Sequence, residues 1–182
     1  MSNIPNIPNI LSEYTQTIFN TCSACETVVS SQVFGISDIE TSPKTPCIVD
    51  TDVNNKDTWH IMISNPNNKA TTVNGIDSCI NILRESGEQD NICDACIRYD
   101  QTIIFIEIKN KNRNWLEQAA HQISNTIKHF NEYNALNSYT IRKAYIANKH
   151  KPVSHLNHRA VLDKMFYEHK FLLKISTKLD IT

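Results

Sequence analysis

The stretch Thr102-Ile-Ile-Phe-Ile-Glu-Ile-Lys-Asn110 carries two interleaved rows of side chains when it is read with the period of a β-strand. One row is Ile104, Ile106 and Ile108; the other is Ile103 and Phe105, followed by Glu107 and Lys109. Both rows are apolar over most of their length, which predicts a central strand covered on both faces. At its end a carboxylate and an ammonium stand two residues apart on one side, where each would cost several kcal/mol if desolvated without a partner. Two readings account for them: a structural ion pair at a strand end, or a chemical site.

Working outward, Ile92 to Tyr99 is a second strand, joined to the first through Asp100-Gln101 as a compact hairpin. Antiparallel pairing brings the Asp94 end of one strand beside the Glu107 and Lys109 end of the other. Two carboxylates and a lysine are the minimum set for metal-assisted phosphodiester hydrolysis. Hard oxygens hold Mg²⁺ or Mn²⁺, the cation activates water, and the lysine positions that water and offsets developing charge.

The remaining chain supplies an α/β alternation. Residues 1 to 9 repeat Ile-Pro-Asn, which forbids a helix. Ile10 to about Val33 lacks glycine and proline, and Leu11, Tyr14, Ile18 and Phe19 predict a first helix. Ser37 to Asp57 is polar and reads as a long loop or irregular insertion, and Trp59 to Ser64 as a strand before the turn Asn65-Pro-Asn-Asn68. A further strand is expected around Gly75-Ile76-Asp77. Asn114 to Tyr133 predicts a helix with the stripe Leu116, Ala120, Ile123, Ile127 and Phe130. Ile141 to Ala147 is strand-like, Asn148 to His158 a basic loop, Ala160 to Lys170 helical and Phe171 to Ser176 a last strand. The expected fold is one α/β domain, a mixed sheet with helices on its faces. Within it, residues 1–58 give a helix and an irregular acidic segment packed on a core of residues 59–182.

Cys93-Asp94, then Phe105-Ile-Glu107-Ile-Lys109, then Glu117-Gln118 opening the next helix, together resemble the PD-(D/E)xK nuclease superfamily. The likeness is greatest to small bacterial members and covers roughly residues 68 to 176. It implies a restriction-endonuclease-like αβββαβ core with a mixed central sheet flanked by helices. It also implies metal ligation by Asp94 and Glu107, a catalytic Lys109 and an auxiliary Gln118. Cysteine stands where the family has proline before the aspartate, and Asn110-Lys111 where glycine is usual after the lysine. On the helical wheel Gln118 lies nearly opposite the apolar stripe, and Gln122 is marginally better placed.

Other residues are weighed against blander roles. Asp77 is a further candidate acidic ligand, with a turn role preferred, and Glu13 or Glu26 is a candidate first-helix acid. His150, His155 and His158 lie in a loop that reads as solvated. Cys22, Cys25, Cys47, Cys79, Cys93 and Cys96 are read mostly as free thiols. Cys22-Ser-Ala-Cys25 and Cys93-Asp-Ala-Cys96 have the spacing of two half zinc sites, but residues three apart on a strand face opposite ways. Three scattered glycines exclude a Gly-rich phosphate loop.

Residues 1–107 hold 5 Lys/Arg against 14 Asp/Glu, and residues 108–182 hold 13 against 5. The net charge of −1 therefore conceals a basic half compatible with phosphate binding. No apolar run approaches the roughly 20 residues of a membrane span, and no secretion signal is seen, so a cytoplasmic location is expected. The function expected is a metal-dependent nuclease acting on DNA, in bacterial defence or mobile-element biology. The alternative is a nuclease-fold immunity or adaptor protein that binds a protein partner, such as a toxin or defence-system subunit, through its acidic half.

Overall fold

Seven of the eight residues of the Thr102–Lys109 strand are buried, because different layers cover its two faces. The computed structural model describes residues 25–39, 41, 44–80, 82, 86–133, 135–150 and 158–182. In chain order the strands are β1 (Glu26–Val29), β2 (Val33–Ser37), β3 (Ile48–Asp50), β4 (Ile61–Ser64), β5 (Thr71–Gly75), β6 (Ala95–Tyr99), β7 (Thr102–Lys109), β8 (Ile141–Asn148), β9 (Leu172–Ile175) and β10 (Lys178–Asp180). A 3-10 helix spans Val53–Thr58, and the α-helices are α1 (Leu116–Glu132) and α2 (His158–His169).

One sheet has six strands in the order β1-β5-β6-β7-β8-β9. From β1 to β7 the pairs are antiparallel; β7 to β8 and β8 to β9 are parallel, with α1 and α2 as the crossovers. The second sheet has the order β10-β4-β2-β3. The protein is thus a mixed α/β fold.

Ile103 and Phe105 face the helices. Phe105 meets Phe130 of α1 edge-on at 4.9 Å and stacks on Phe171 at 5.5 Å between ring centroids, arrangements that aromatic rings favour. Ile104, Ile106 and Ile108 belong instead to a core with Phe34, Ile61, Ile63 and Leu179 of the second sheet. The expectation of helices on both faces is corrected: helices cover one face, and the four-stranded sheet covers the other.

Of that second sheet, β4 matches the expected strand Trp59 to Ser64, whereas β2 and β3 fall in the stretches read as a helix and a loop. Residues 10–24 of the expected first helix lie outside the described residues, but its end is strand: Glu26–Val29 and Val33 belong to β1 and β2. β1 is an edge strand whose first three residues are exposed, so its pattern lacks the alternation of a half-buried strand. Within the expected loop lie β3 and the 3-10 helix, the latter capped by Asp52, whose side chain accepts the Asn54 N–H at 3.0 Å. β10 was not anticipated; three residues of pattern are too few to read.

The turns match their sequences. Asp100 (φ 46°) makes the hairpin and Asn114 (φ 52°) turns the chain into α1; both residue types tolerate this region. α1 buries Leu116, Ala119, Ile123, Thr126, Ile127 and Phe130. Ala119 is therefore the buried alanine, and Ala120 is only partly covered.

Cys25 and Cys79 form a disulfide with a Cα separation of 5.9 Å, correcting the free-thiol reading for that pair; Cys47, Cys93 and Cys96 are free and buried. Cys22 lies outside the described residues. Cys93 and Cys96 do not face opposite ways, because the chain bends at Asp94 between Cys93 and β6 and both cysteines enter the helix-side core.

Two substitutions test this packing by thermal or denaturant unfolding. Ile127→Ala, in the middle of the α1 stripe, lowers stability by about 2 to 5 kcal/mol. Gly35→Ala drives a methyl into the Trp59 ring, so the ring must move; a lower melting temperature with red-shifted tryptophan emission is expected, and unchanged emission would contradict this contact.

Candidate active site

The β6–β7 ladder ends at the pair Ala95 and Ile106, and one step further Asp94 stands opposite Glu107. There β6 has turned away. The Asp94 carbonyl accepts the Ile76 N–H at 2.8 Å, and its carboxylate Oδ2 accepts the Ile108 N–H of β7 at 2.6 Å. A side chain thus replaces the missing ladder partner and fixes the carboxylate beside Glu107.

Helix α1 holds the incoming segment. Cys93 N–H donates to Thr126 Oγ1 at 2.8 Å, and Gln122 Nε2 donates to the Ile92 carbonyl at 3.2 Å. The same Gln122 presents Oε1 to the Lys109 ammonium at 2.6 Å, and that ammonium also pairs with Glu107 Oε1. Glu107 has no exposed surface, and its Oε2 has no hydrogen-bond partner among the described residues. Asp94, Glu107 and Lys109 therefore come together as the sequence indicated.

The electrostatics follow from burial. Desolvation pushes the Asp94 carboxyl up to about 7, reinforced by Asp38 and Asp77 and opposed by the Ile108 N–H and by Lys109. Glu107 is pushed well above the usual carboxyl range, first by burial and then by Asp94, with Lys109 opposing. Two neighbouring carboxylates cannot both ionise cheaply in a water-poor site.

Above them opens a cavity of about 540 Å³. Asp94, Ile108, Lys109 and Gln122 line it from the central sheet and α1, Asp77 from the turn after β5, and Asp38, Lys44 and His60 from the second-sheet side. Asp77 does more than the turn role preferred from sequence: it lines the cavity and pairs with Lys44.

Gln118, the expected auxiliary, is exposed and does not line the cavity; Gln122, one helical turn later, does. Four residues advance about 40° beyond a full turn, toward the apolar stripe, which is why the wheel favours Gln122. Glu26 lies on β1 bound to Arg98 Nη2 at 3.0 Å and to Asn74, away from this cavity, and Glu13 lies outside the described residues. His150 is exposed, His158 opens α2, and His155 lies outside the described residues. Sequence reasoning missed Asp38, Lys44 and His60, which hydrophobic patterning could not have flagged because the second sheet places them. Among the described residues no group of three or more His, Cys, Asp or Glu is arranged to hold a metal ion, and no helix is long and apolar enough to cross a membrane. Comparison of the chain with family models, curated proteins and solved structures finds no match.

A raised carboxyl pKa means that the folded state binds the proton more tightly than the unfolded chain, so stability falls as pH rises between the two values. For Asp94 that window runs from about 4 to about 7, and the loss reaches at most about 4 kcal/mol. Asp94→Asn keeps an acceptor for the Ile108 N–H but cannot ionise. Melting temperatures of wild type and Asp94→Asn should converge near pH 4 and separate toward pH 8, with the variant the more stable. Parallel curves would show that Asp94 is not buried as described.

Proposed function

We propose that the chain is a Mg²⁺- or Mn²⁺-dependent nuclease that hydrolyses DNA phosphodiester bonds, built on the restriction-endonuclease-like core that its motifs resemble. The observation that carries this is Glu107, wholly buried and paired with Lys109, next to a cavity that Asp94 and Lys109 line. A purely structural ion pair would not need a second carboxylate facing it, since that carboxylate only raises the cost of ionising Glu107.

The order β5-β6-β7-β8, antiparallel twice and then parallel across α1, supports the βββαβ part of that core. The donor set suits the ion: Mg²⁺ is commonly held by one or two carboxylates with water and phosphate oxygens completing its shell. Asp94 and Glu107 are the residues that would hold it. When bound, the ion would supply positive charge to the phosphate and acidify a water. Lys109 is held by Gln122 and Glu107 with its ammonium at the cavity wall, where it donates to the attacking water or to a phosphate oxygen. Asp94 is tied through Oδ2 to the Ile108 N–H and lines the cavity. A role in bacterial defence or mobile-element biology rests on the family resemblance alone.

The test is cleavage of plasmid and single-stranded DNA with Mg²⁺, Mn²⁺ or EDTA. Lys109→Ala should lower the metal-dependent rate by about a hundredfold or more while the protein still melts cooperatively. Wild type that is inactive on every substrate, binds no divalent ion and is sharply destabilised by Lys109→Ala would leave the partner-binding alternative.

A further inference from the structure

His60 is the one imidazole lining the cavity among the described residues, and its two nitrogens are differently committed. Nδ1 accepts the Asp38 backbone N–H at 3.1 Å, and the His60 N–H donates to the Ile36 carbonyl at 3.1 Å. The ring is therefore held through Nδ1, and the backbone that carries it is held to β2. In the neutral form its proton must sit on Nε2, the nitrogen with no hydrogen-bond partner among the described residues. Burial and the nearby Lys149 ammonium favour that neutral form, with Asp38 opposing them. Lys149 is itself held close by, its Nζ donating to the Asp57 carbonyl at 2.8 Å across from the end of β8 to the 3-10 helix. A held N–H donor at a cavity whose other side carries Lys109, with the Lys149 ammonium bound to Asp57 three residues before it, matches an anionic oxygen.

We propose that His60 Nε2–H forms a phosphate subsite on the second-sheet side of the cavity, with Lys149 outside the cavity lining adding positive charge, and that this subsite holds a nucleic-acid phosphodiester next to the one placed at Lys109. The subsite rests on the nuclease reading for its ligand, but its geometry does not involve Asp94 or Glu107. It makes His60 a substrate-contacting residue and the second sheet part of the binding surface.

Two isosteric variants separate this role from a structural one. Asn at position 60 offers an oxygen near the Nδ1 position and can keep the Asp38 hydrogen bond, but it has no donor near Nε2. Gln offers an amide N–H near Nε2 and lacks the Nδ1 acceptor. Binding of a labelled 12-residue oligodeoxynucleotide is followed by fluorescence anisotropy in EDTA, with thymidine monophosphate as competitor, and cleavage is followed in Mg²⁺. His60→Asn should weaken oligonucleotide binding by about tenfold, the loss of one hydrogen bond to a charged group, while His60→Gln stays within a few-fold of wild type. Lys149→Gln should weaken binding and flatten its salt dependence. The reverse order, with His60→Asn like wild type and His60→Gln impaired, marks a purely structural histidine and overturns the subsite, as does wild type that binds no oligonucleotide. Tight binding of thymidine monophosphate with the oligonucleotide ignored overturns the nucleic-acid assignment. Wild type that binds with the expected variant order but never cleaves removes the nuclease reading and leaves the subsite standing. Cleavage that is indifferent to both His60 variants does the opposite.

Discussion

Glu107 has to be kept in a place where water cannot solvate it, and most of the surrounding structure can be understood as a response to that constraint. Its strand is covered by helices on one side and by a second sheet on the other, so the carboxyl cannot swing out to solvent. Lys109 meets one of its oxygens, and Gln122 holds Lys109 in turn. Because Asp94 stands across the ladder, ionising both carboxyls together is unfavourable, and both hold their protons more tightly than free carboxyls do. Such a site favours whatever brings positive charge into the cavity. That is a property expected of a hydrolytic metal centre and of little use to a structural ion pair.

Helix α1 is the element that turns this chemistry into geometry. Its apolar stripe would be satisfied by any register that covered Phe105, but Gln122 and Thr126 allow only one, since they must reach the Ile92 carbonyl and the Cys93 N–H. The hydrophobic contact supplies most of the stability, and the two polar residues choose the register. Asp94 is delivered to Ile108 as a consequence of that choice.

Where the sequence carried a strong period, it was informative. The β6–β7 hairpin, α1, β8, α2 and the meeting of Asp94, Glu107 and Lys109 could all be read from alternation, helical spacing and the absence of breakers. The second sheet, β4 apart, could not. β3 and β10 are three residues each, and polar linkers masked Phe34 and Ile36 as core; β1 of the larger sheet, an edge strand exposed at three of four positions, was equally hidden. Long-range pairing, not local preference, makes those segments strands. The same gap explains the site residues that were missed, because Asp38, Lys44 and His60 hang on that sheet. Gln118 failed for a smaller reason: a motif position borrowed by resemblance was one helical turn from the residue that faces inward here.

The charge asymmetry of the two halves acquires a spatial meaning in the fold. Asp38, Asp77 and Asp94 come from the acidic half, Lys109 and Lys111 from the basic half, and the chain brings the two sets together around one cavity. Lys44, one of the few cations of the acidic half, pairs with Asp77 there. A near-zero net charge therefore coexists with strong local fields of both signs a few residues apart, which is the arrangement needed to hold a cation against one wall and an anion against another. Either ligand alone would leave one set of charges poorly compensated. Each should therefore bind more tightly in the presence of the other, since the first reduces the electrostatic cost that the second would otherwise meet.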